Sequence, residues 1–365
     1  MLHERKRGSF YSLRIPEPFI NSLPGGMMVP SRQKVVTYSL NVFVPLTNLC
    51  RNRCAYCGFR KEGEGAILLS PQEVFSLVLR GKKTGCSEVL FTLGERPEVH
   101  PWARKRLEEM GYRSISEYLE ELCKHILRLG LLPHTNAGVL SGEELRRLRR
   151  YNASMGLMLE CASRLEAHRE SPGKDPEVRL GFIERAGELR IPFTTGLLVG
   201  IGESREDRRK SLEEIRRLHE RYGHIQEVIL QPFSPKPGTP MGNRPPPPRE
   251  EVLDTVRMAS EILPPEVGIQ IPPNLVGEVI PFLREGANDL GGISEVTPDF
   301  VNPECPWPPL CTLRLELEAA GFALRERLPL YPSYARDPSF MSEEVRRVVS
   351  RLADEEGYRR SPQKD

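Results

Sequence analysis

The sequence predicts an α/β chain folded into one eight-stranded (β/α)8 barrel. A strand-like apolar or β-branched run followed by a helix-like segment recurs over residues 35–320, and eight such runs is the number that closes a parallel barrel. Several of the intervening helices also open with the same signature, a serine followed three residues later by an acid, which satisfies the orphan amides of a helix start.

The predicted strands are residues 36–44, 88–93, 132–136, 155–160, 193–199, 227–231, 267–271 and 289–293. Helix starts are marked by Ser70 with Glu73, where Pro71 takes the first helical position, and by Ser114 with Glu117, Ser141 with Glu144 and Ser204 with Asp207. The run Pro245 to Pro248, followed by Glu250 and Glu251, reads as a rigid connector into a helix reaching residue 262. Residues 1–34 read as an N-terminal extension, 35–320 as the barrel and 321–365 as a charged C-terminal extension or tail. Right-handed crossovers point every strand the same way, so the loops at their carboxyl ends converge on one face, where the chemistry is expected.

Composition narrows the partners. Fifty-two Lys plus Arg against 50 Asp plus Glu leave a formal charge of +2, which gives no global attraction to nucleic acid or anionic membrane and points to a small-molecule ligand. The basic run at residues 146–150 follows Glu143 and Glu144 and reads as a solvated helix face. The first ten residues include several charged ones before any apolar run, and no stretch approaches the roughly 18 apolar residues of a membrane span. The expected location is the cytoplasm, with no membrane association. Eight cysteines are too sparse for a disulfide scaffold, yet three crowd into eight residues, which suits metal binding in a reducing compartment.

Those three, Cys50, Cys54 and Cys57, form C-x3-C-x2-C directly after the first strand. Three thiolates on one loop can each take a corner of a cubane cluster. Such a cluster normally has four protein thiolates, so one iron stays open to chelation by the amino and carboxylate groups of a methionine moiety. A structural zinc site would want two short ligand pairs, and Cys86, Cys123, Cys161, Cys305 and Cys311 supply no second C-x2-C. All five read as isolated buried thiols, with Cys161 pointing into packing.

With Tyr56 as its aromatic residue, the triplet resembles the signature of the radical S-adenosylmethionine (SAM) superfamily. The resemblance implies a TIM-type (β/α)8 radical SAM barrel, its active site at the C-terminal ends of the strands, one 4Fe-4S cluster and SAM. Further motifs fall at successive strand ends. Gly94 and Glu95, in Thr92-Leu-Gly-Glu95, are similar to the motif that binds the SAM amino group. Glu160 stands where relatives contact the SAM ribose, and Arg179 resembles the arginine that pairs with the SAM carboxylate. Gly200, in a run from Gly196 to Glu203, resembles the fifth-strand motif flanking adenine, and Gln231 ends the sixth strand at the usual place of an adenine contact.

Longer stretches resemble one family, the first subunit of 7,8-didemethyl-8-hydroxy-5-deazariboflavin synthase. They are residues 41–50, 91–97, 158–161, 167–176 and 291–298. The resemblance implies oxidative closure of a deazaflavin ring, with release of ammonia, on a tyrosine-uracil adduct. A companion radical SAM subunit would make that adduct, and with a single cysteine triplet here it must be a separate chain. A reductant such as ferredoxin or flavodoxin is also implied. Substrate contacts are expected from His134, Asn136 and Asn274, and from Arg96, Ser294 and Thr297 in the family-specific loops; His134 and His168 are the candidate bases. The competing readings are a biotin synthase-like or hydrogenase-maturase-like barrel, or a non-catalytic metal-binding scaffold.

Overall fold

The computed structural model describes residues 34–361. The expected N-terminal extension lies outside them, except that Lys34 already opens the first strand. The strands are β1 (Lys34–Thr47), β2 (Glu88–Leu93), β3 (Leu132–Asn136), β4 (Ser154–Gly156), β5 (Phe193–Val199), β6 (Ile225–Pro232), β7 (Gly268–Gln270), β8 (Asp289–Ile293) and β9 (Phe322–Arg327). The helices are α1 (Pro71–Lys83), α2 (Pro101–Glu109), α3 (Ile115–Arg128), α4 (Gly142–Arg149), α5 (Pro176–Glu188), α6 (Arg205–Tyr222), α7 (Arg249–Ile262), α8 (Pro273–Val276), α9 (Ile280–Arg284), α10 (Leu310–Ala319), α11 (Pro332–Ala335) and α12 (Glu343–Leu352).

Strands β1 to β8 pair in sequence order, all parallel, and β1 meets both β8 and β2, which closes the barrel. Each of the eight expected strands is present. The fourth is the most altered: it shortens to three residues, and after it the chain meets β5 again through a bridge between Glu160, which takes a left-handed backbone (φ 64°), and Leu197. Ser70, Ser141 and Ser204 form reciprocal capping boxes with Glu73, Glu144 and Asp207. Ser114 also caps its helix, but the Glu117 carboxylate accepts from the amide of Arg113, one residue further out.

The C-terminal segment departs from the expectation of a charged extension or tail. Residues 322–327 are a strand, β9, running parallel to the first half of β1 from Lys34↔Phe322 to Ser39↔Arg327, while β2 takes the second half from Asn41↔Glu88 onward. One edge of β1 is therefore shared by two strands. The following residues, among them Leu328, Leu330, Tyr334, Phe340 and Val345, pack against Leu127, Leu132 and Ala153 at the start of the strands. In α12 the charges of Glu343, Arg346 and Arg347 face outward and Val345, Val348 and Val349 face in, so a charge-rich sequence conceals a packed helix.

Strand β9 carries Arg327 into the barrel interior, where it is 3% exposed. Its Nε and Nη2 donate to the two carboxylate oxygens of Asp289 at 2.7 and 2.9 Å, and Nη2 also reaches Glu227 at 2.8 Å. Thr37 donates to Asp289, Thr194 to Glu227 at 2.9 Å and Ser39 to Glu88, all buried. One guanidinium thus faces three carboxyl groups. Burial pushes Glu227 up to about 8 against the pull of Arg327, with nearby Asp289 adding to the rise, and burial raises Glu88 as well.

Two outcomes are expected. Arg327→Met leaves Asp289 without its counter-charge and should destabilise the fold by about 3–5 kcal/mol in urea unfolding, the usual result of removing one partner of a buried pair. Because Glu227 keeps its proton in the folded state at pH values where the unfolded chain has lost it, its contribution to stability falls as pH rises from about 5 to about 8. Glu227→Gln should flatten that decline in a series of thermal melts; an unchanged slope would show that Glu227 is ionised throughout.

Candidate active site

The loop after β1 is tied down by backbone hydrogen bonds to two neighbouring loops. Arg51 donates to the Glu95 carbonyl at 2.9 Å, Arg53 to Glu170 at 3.1 Å and Ala55 to Ala167 at 2.9 Å. The Asn52 side chain accepts from the Gly173 amide at 2.9 Å. Cys50, Cys54 and Cys57 therefore sit on a fixed frame, half-buried, and all three line a cavity of about 400 Å³ at the carboxyl ends of the strands.

The sulfurs are already solvated by the protein. Amides of Asn52 and Glu95 donate to Cys50 Sγ at 3.4 and 3.2 Å, and the Ser171 hydroxyl donates to Cys54 Sγ at 3.4 Å. Burial raises the thiols of Cys50 and Cys57, and the charge of Cys54 adds to both. Among the described residues no three His, Cys, Asp or Glu side chains gather closely enough to hold a single ion, whereas a cubane takes each thiolate at a separate iron. The donor set, the N–H···S contacts and the open cavity beside them fit such a cluster. Of the other cysteines, Cys86, Cys123 and Cys161 are buried, Cys161 beneath the Ser163 amide; Cys305 is half-buried and Cys311 exposed, contrary to the expectation that all five are buried.

Glu95 lines the cavity and is buried. Arg51 Nε donates to one of its oxygens at 2.7 Å and the Val139 amide to the other at 3.0 Å. Two glycines make its berth: a Cβ on Gly173 would stand 1.9 Å from Oε1, and one on Gly138 2.5 Å from Cγ. Gly94 also lines the cavity, and a Cβ there would stand 2.0 Å from the Leu49 carbonyl oxygen. Its bareness lets the end of β2 approach the cysteine loop.

Glu160, also on the cavity, pairs with Lys174; burial pushes its carboxyl up, but Lys174 and Arg179 together hold it below the usual range. Arg179 is buried rather than on a helix surface, donating from Nε to the Gly173 carbonyl at 2.9 Å and from Nη1 to that of Met158. Tyr56 and Gln231 line the same cavity. His134 sits between Ser154 Oγ at 2.7 Å and Asn136 Oδ1 at 3.1 Å, and burial drives its pKa down to about 4, leaving a neutral ring on the wall. Asn274 donates to Asp299 at 3.0 Å and to the Cys305 carbonyl at 3.2 Å, while its Oδ1 has no partner among the described residues.

Five expected site residues do not line the cavity. Arg96 turns away into a two-pronged ion pair with Glu144 at 2.8 and 2.7 Å. Gly200 makes the turn after β5 (φ 98°), packed on Pro247. Ser294 and Thr297 bond each other at 2.8 Å, and Thr297 accepts from the Phe43 amide at 2.9 Å, so both close a turn. His168 stands behind Tyr56, its Nε2 3.0 Å from the phenol, with burial and Lys174 driving its pKa to about 4.

Glu88, Glu227, Gln270, Lys174, Lys236, Asn302 and Trp307 line the cavity as well, beyond the residues expected there. Glu88 and Glu227 had a visible signal, an acid at the head of an otherwise apolar strand. Lys236 and Asn302, bonded at 2.8 Å, come from long loops without such a pattern.

Comparison with known proteins agrees with this geometry. The model of the radical SAM superfamily matches residues 44–215. A 7,8-didemethyl-8-hydroxy-5-deazariboflavin synthase of Archaeoglobus fulgidus is 56% identical over 329 residues, covering 90% of this chain and 99% of its own. One of Methanopyrus kandleri is 54% identical over 336 residues, covering 89% and 100%. Among solved structures, methylornithine synthase superposes with a TM-score of 0.61 at 18% identity, over 80% of this chain and 83% of that one. A maturase of the [FeFe]-hydrogenase gives 0.64 at 16%, over 87% and 69%. These two share the fold. The identity to the synthases extends from the cysteine loop through nearly the whole barrel, and the chain belongs to the 7,8-didemethyl-8-hydroxy-5-deazariboflavin synthase family of the radical SAM superfamily.

Proposed function

We propose that this chain completes the deazaflavin chromophore. It would close the ring of 5-amino-5-(4-hydroxybenzyl)-6-(D-ribitylimino)-5,6-dihydrouracil oxidatively, releasing ammonia while SAM is cleaved to methionine and 5′-deoxyadenosine. The observation that carries this reading is the opening of all three loop thiols onto one cavity that His134, Asn136, Gln270 and Asn274 also line. Membership of the superfamily implies a 4Fe-4S cluster and SAM; Cys50, Cys54 and Cys57 are the residues that would hold one such cluster. When bound, the pair supplies one-electron cleavage of a carbon-sulfur bond and an adenosyl-derived radical, chemistry that belongs to the cofactors.

The chain's own residues orient and screen. Glu95, buried and held by Arg51 and the Val139 amide, offers a carboxylate to the SAM ammonium. Arg179 has Nε and Nη1 committed to carbonyls, which aims the rest of its fork at a carboxylate. Glu160 with Lys174 suits ribose hydroxyls, and Gln231 the adenine edge. Tyr56 closes the near wall, and His168 is a positioning residue for its phenol. His134, neutral at working pH, acts through hydrogen bonding together with Asn136, and Asn274 presents its Oδ1 to the substrate. The adduct would come from a companion radical SAM subunit on a separate chain, and the electron from a ferredoxin or flavodoxin in the cytoplasm. Among the described residues no helix is long and apolar enough to cross a membrane.

The direct test is an anaerobic incubation of cluster-reconstituted protein with SAM, reductant and the adduct, following 5′-deoxyadenosine and the fluorescent deazaflavin. Appearance of both is expected; deoxyadenosine without deazaflavin would reject the substrate. Cys54→Ala should abolish SAM cleavage with the circular dichroism spectrum unchanged. Gly173→Ala, which drives a methyl into Glu95, should weaken SAM binding about ten-fold or more in equilibrium dialysis, as should Glu95→Gln. Wild-type affinity in both would remove Glu95 from the SAM site.

A further inference from the structure

The eighth strand contains an extra residue. Thr37 pairs with Asp289 but Ser39 with Gly292, so two steps along β1 match three along β8, and Gly291 takes a left-handed backbone (φ 75°). Such a glycine bulge re-aims the strand locally and sits characteristically beside functional sites. Here it brings two successive bare Cα atoms against side chains from the two flanking strands. A Cβ on Gly291 would stand 2.1 Å from Gln270 Nε2, and one on Gly292 2.1 Å from Asn41 Nδ2.

Both amides are inside the protein, Asn41 at 0% and Gln270 at 8% exposure. Among the described residues neither atom of the Asn41 amide has a hydrogen-bond partner, and the Gln270 amide makes no hydrogen bond. Gln270 and Gly292 line the cavity, and Asn41 lies against Gly292. The Asn41 amide is closed off beside the cavity without a partner, which is disfavoured, and the Gln270 amide opens onto the cavity unbonded; together, on either side of a bent strand, they point to a ligand that completes their hydrogen bonds.

The chemistry of two neutral amides on either side of one strand is specific. Each offers a donor and an acceptor, and together they match an edge that alternates carbonyl, N–H and carbonyl. We infer that Asn41 and Gln270 form an imide-reading subsite, which receives the C2=O, N3–H and C4=O edge of the substrate's pyrimidinedione ring and is opened by the Gly291-Gly292 bulge. The assignment rests on the function proposed above and adds which end of the substrate lies deepest: the ring, rather than the ribityl chain.

The test uses anaerobically reconstituted holoenzyme and two fluorescent probes, the deazaflavin product, which keeps the same ring edge, and its N3-methyl derivative. Wild-type protein should bind the parent at least about ten-fold more tightly than the N3-methyl form, because methylation removes the donor that a buried acceptor requires. The near-isosteric variants Asn41→Leu and Gln270→Met should each lose about ten-fold or more in affinity for the parent and narrow the discrimination, with thermal melts and cluster absorbance reporting whether they are folded. Equal binding of both probes by the wild type would overturn the proposal without any variant. So would undiminished N3-methyl discrimination in a folded double variant. Turnover of the adduct with no such discrimination would sink this subsite alone, whereas no turnover and no binding of either probe would sink the proposed function with it.

Discussion

A guanidinium sealed inside a barrel must be neutralised where it stands, and Arg327 is neutralised by the Asp289 carboxylate of β8, while the carboxyl group of Glu227 on β6 accepts a further hydrogen bond from it. The arrangement decides how the interior is divided. Below this charged layer the chain from Leu328 onward closes the amino ends of the strands with an apolar plug. Above it the interior stays open as a cavity whose floor is Glu88, Glu227 and Arg327. A barrel of this type is usually filled by layers of apolar side chains; replacing the lowest layer with a satisfied ionic one gives a floor that a polar ligand can rest on.

The mouth of the cavity is organised around a second shared group. Glu95 touches the cysteine loop through Arg51 and the β3 loop through Val139, and Gly173 of the loop before α5 gives it room. Gly173 in turn donates to Asn52 and accepts from Arg179. Three loops from different strands are therefore fixed relative to one another before any cofactor arrives, the condition for holding reacting groups in register.

Much of this was legible in the sequence, and the reasons are physical. Apolar or β-branched runs alternating with capped helices marked the eight strands, because burial on both faces leaves a strong apolar signal. The cysteine spacing stood out because few other uses put three thiols on one loop. The ninth strand was hidden because Leu324-Arg-Glu-Arg327 ends in three successive charged residues and looks solvated. Position at a strand's end shows which loop a residue joins but not which way it turns: Arg96 found Glu144, and Ser294 found Thr297, each a partner nearer than the cavity. The amides of Asn41 and Gln270 were invisible for the opposite reason, since their placement depends on glycines of a different strand.

The pairing of β1 with β9 joins residue 34 to residue 322. The first strand made is thus completed by the last, and the loop closed between them is nearly as long as the described chain. Contacts of such high sequence separation form late and slow the folding of a domain. During synthesis, Asp289 emerges before the arginine that neutralises it, and the apolar ends of β3 and β4 before the plug that covers them. A ribosome-bound barrel lacking its last forty or so residues is accordingly a partly open intermediate with exposed apolar surface, the kind of species that folding in the cell has to shelter.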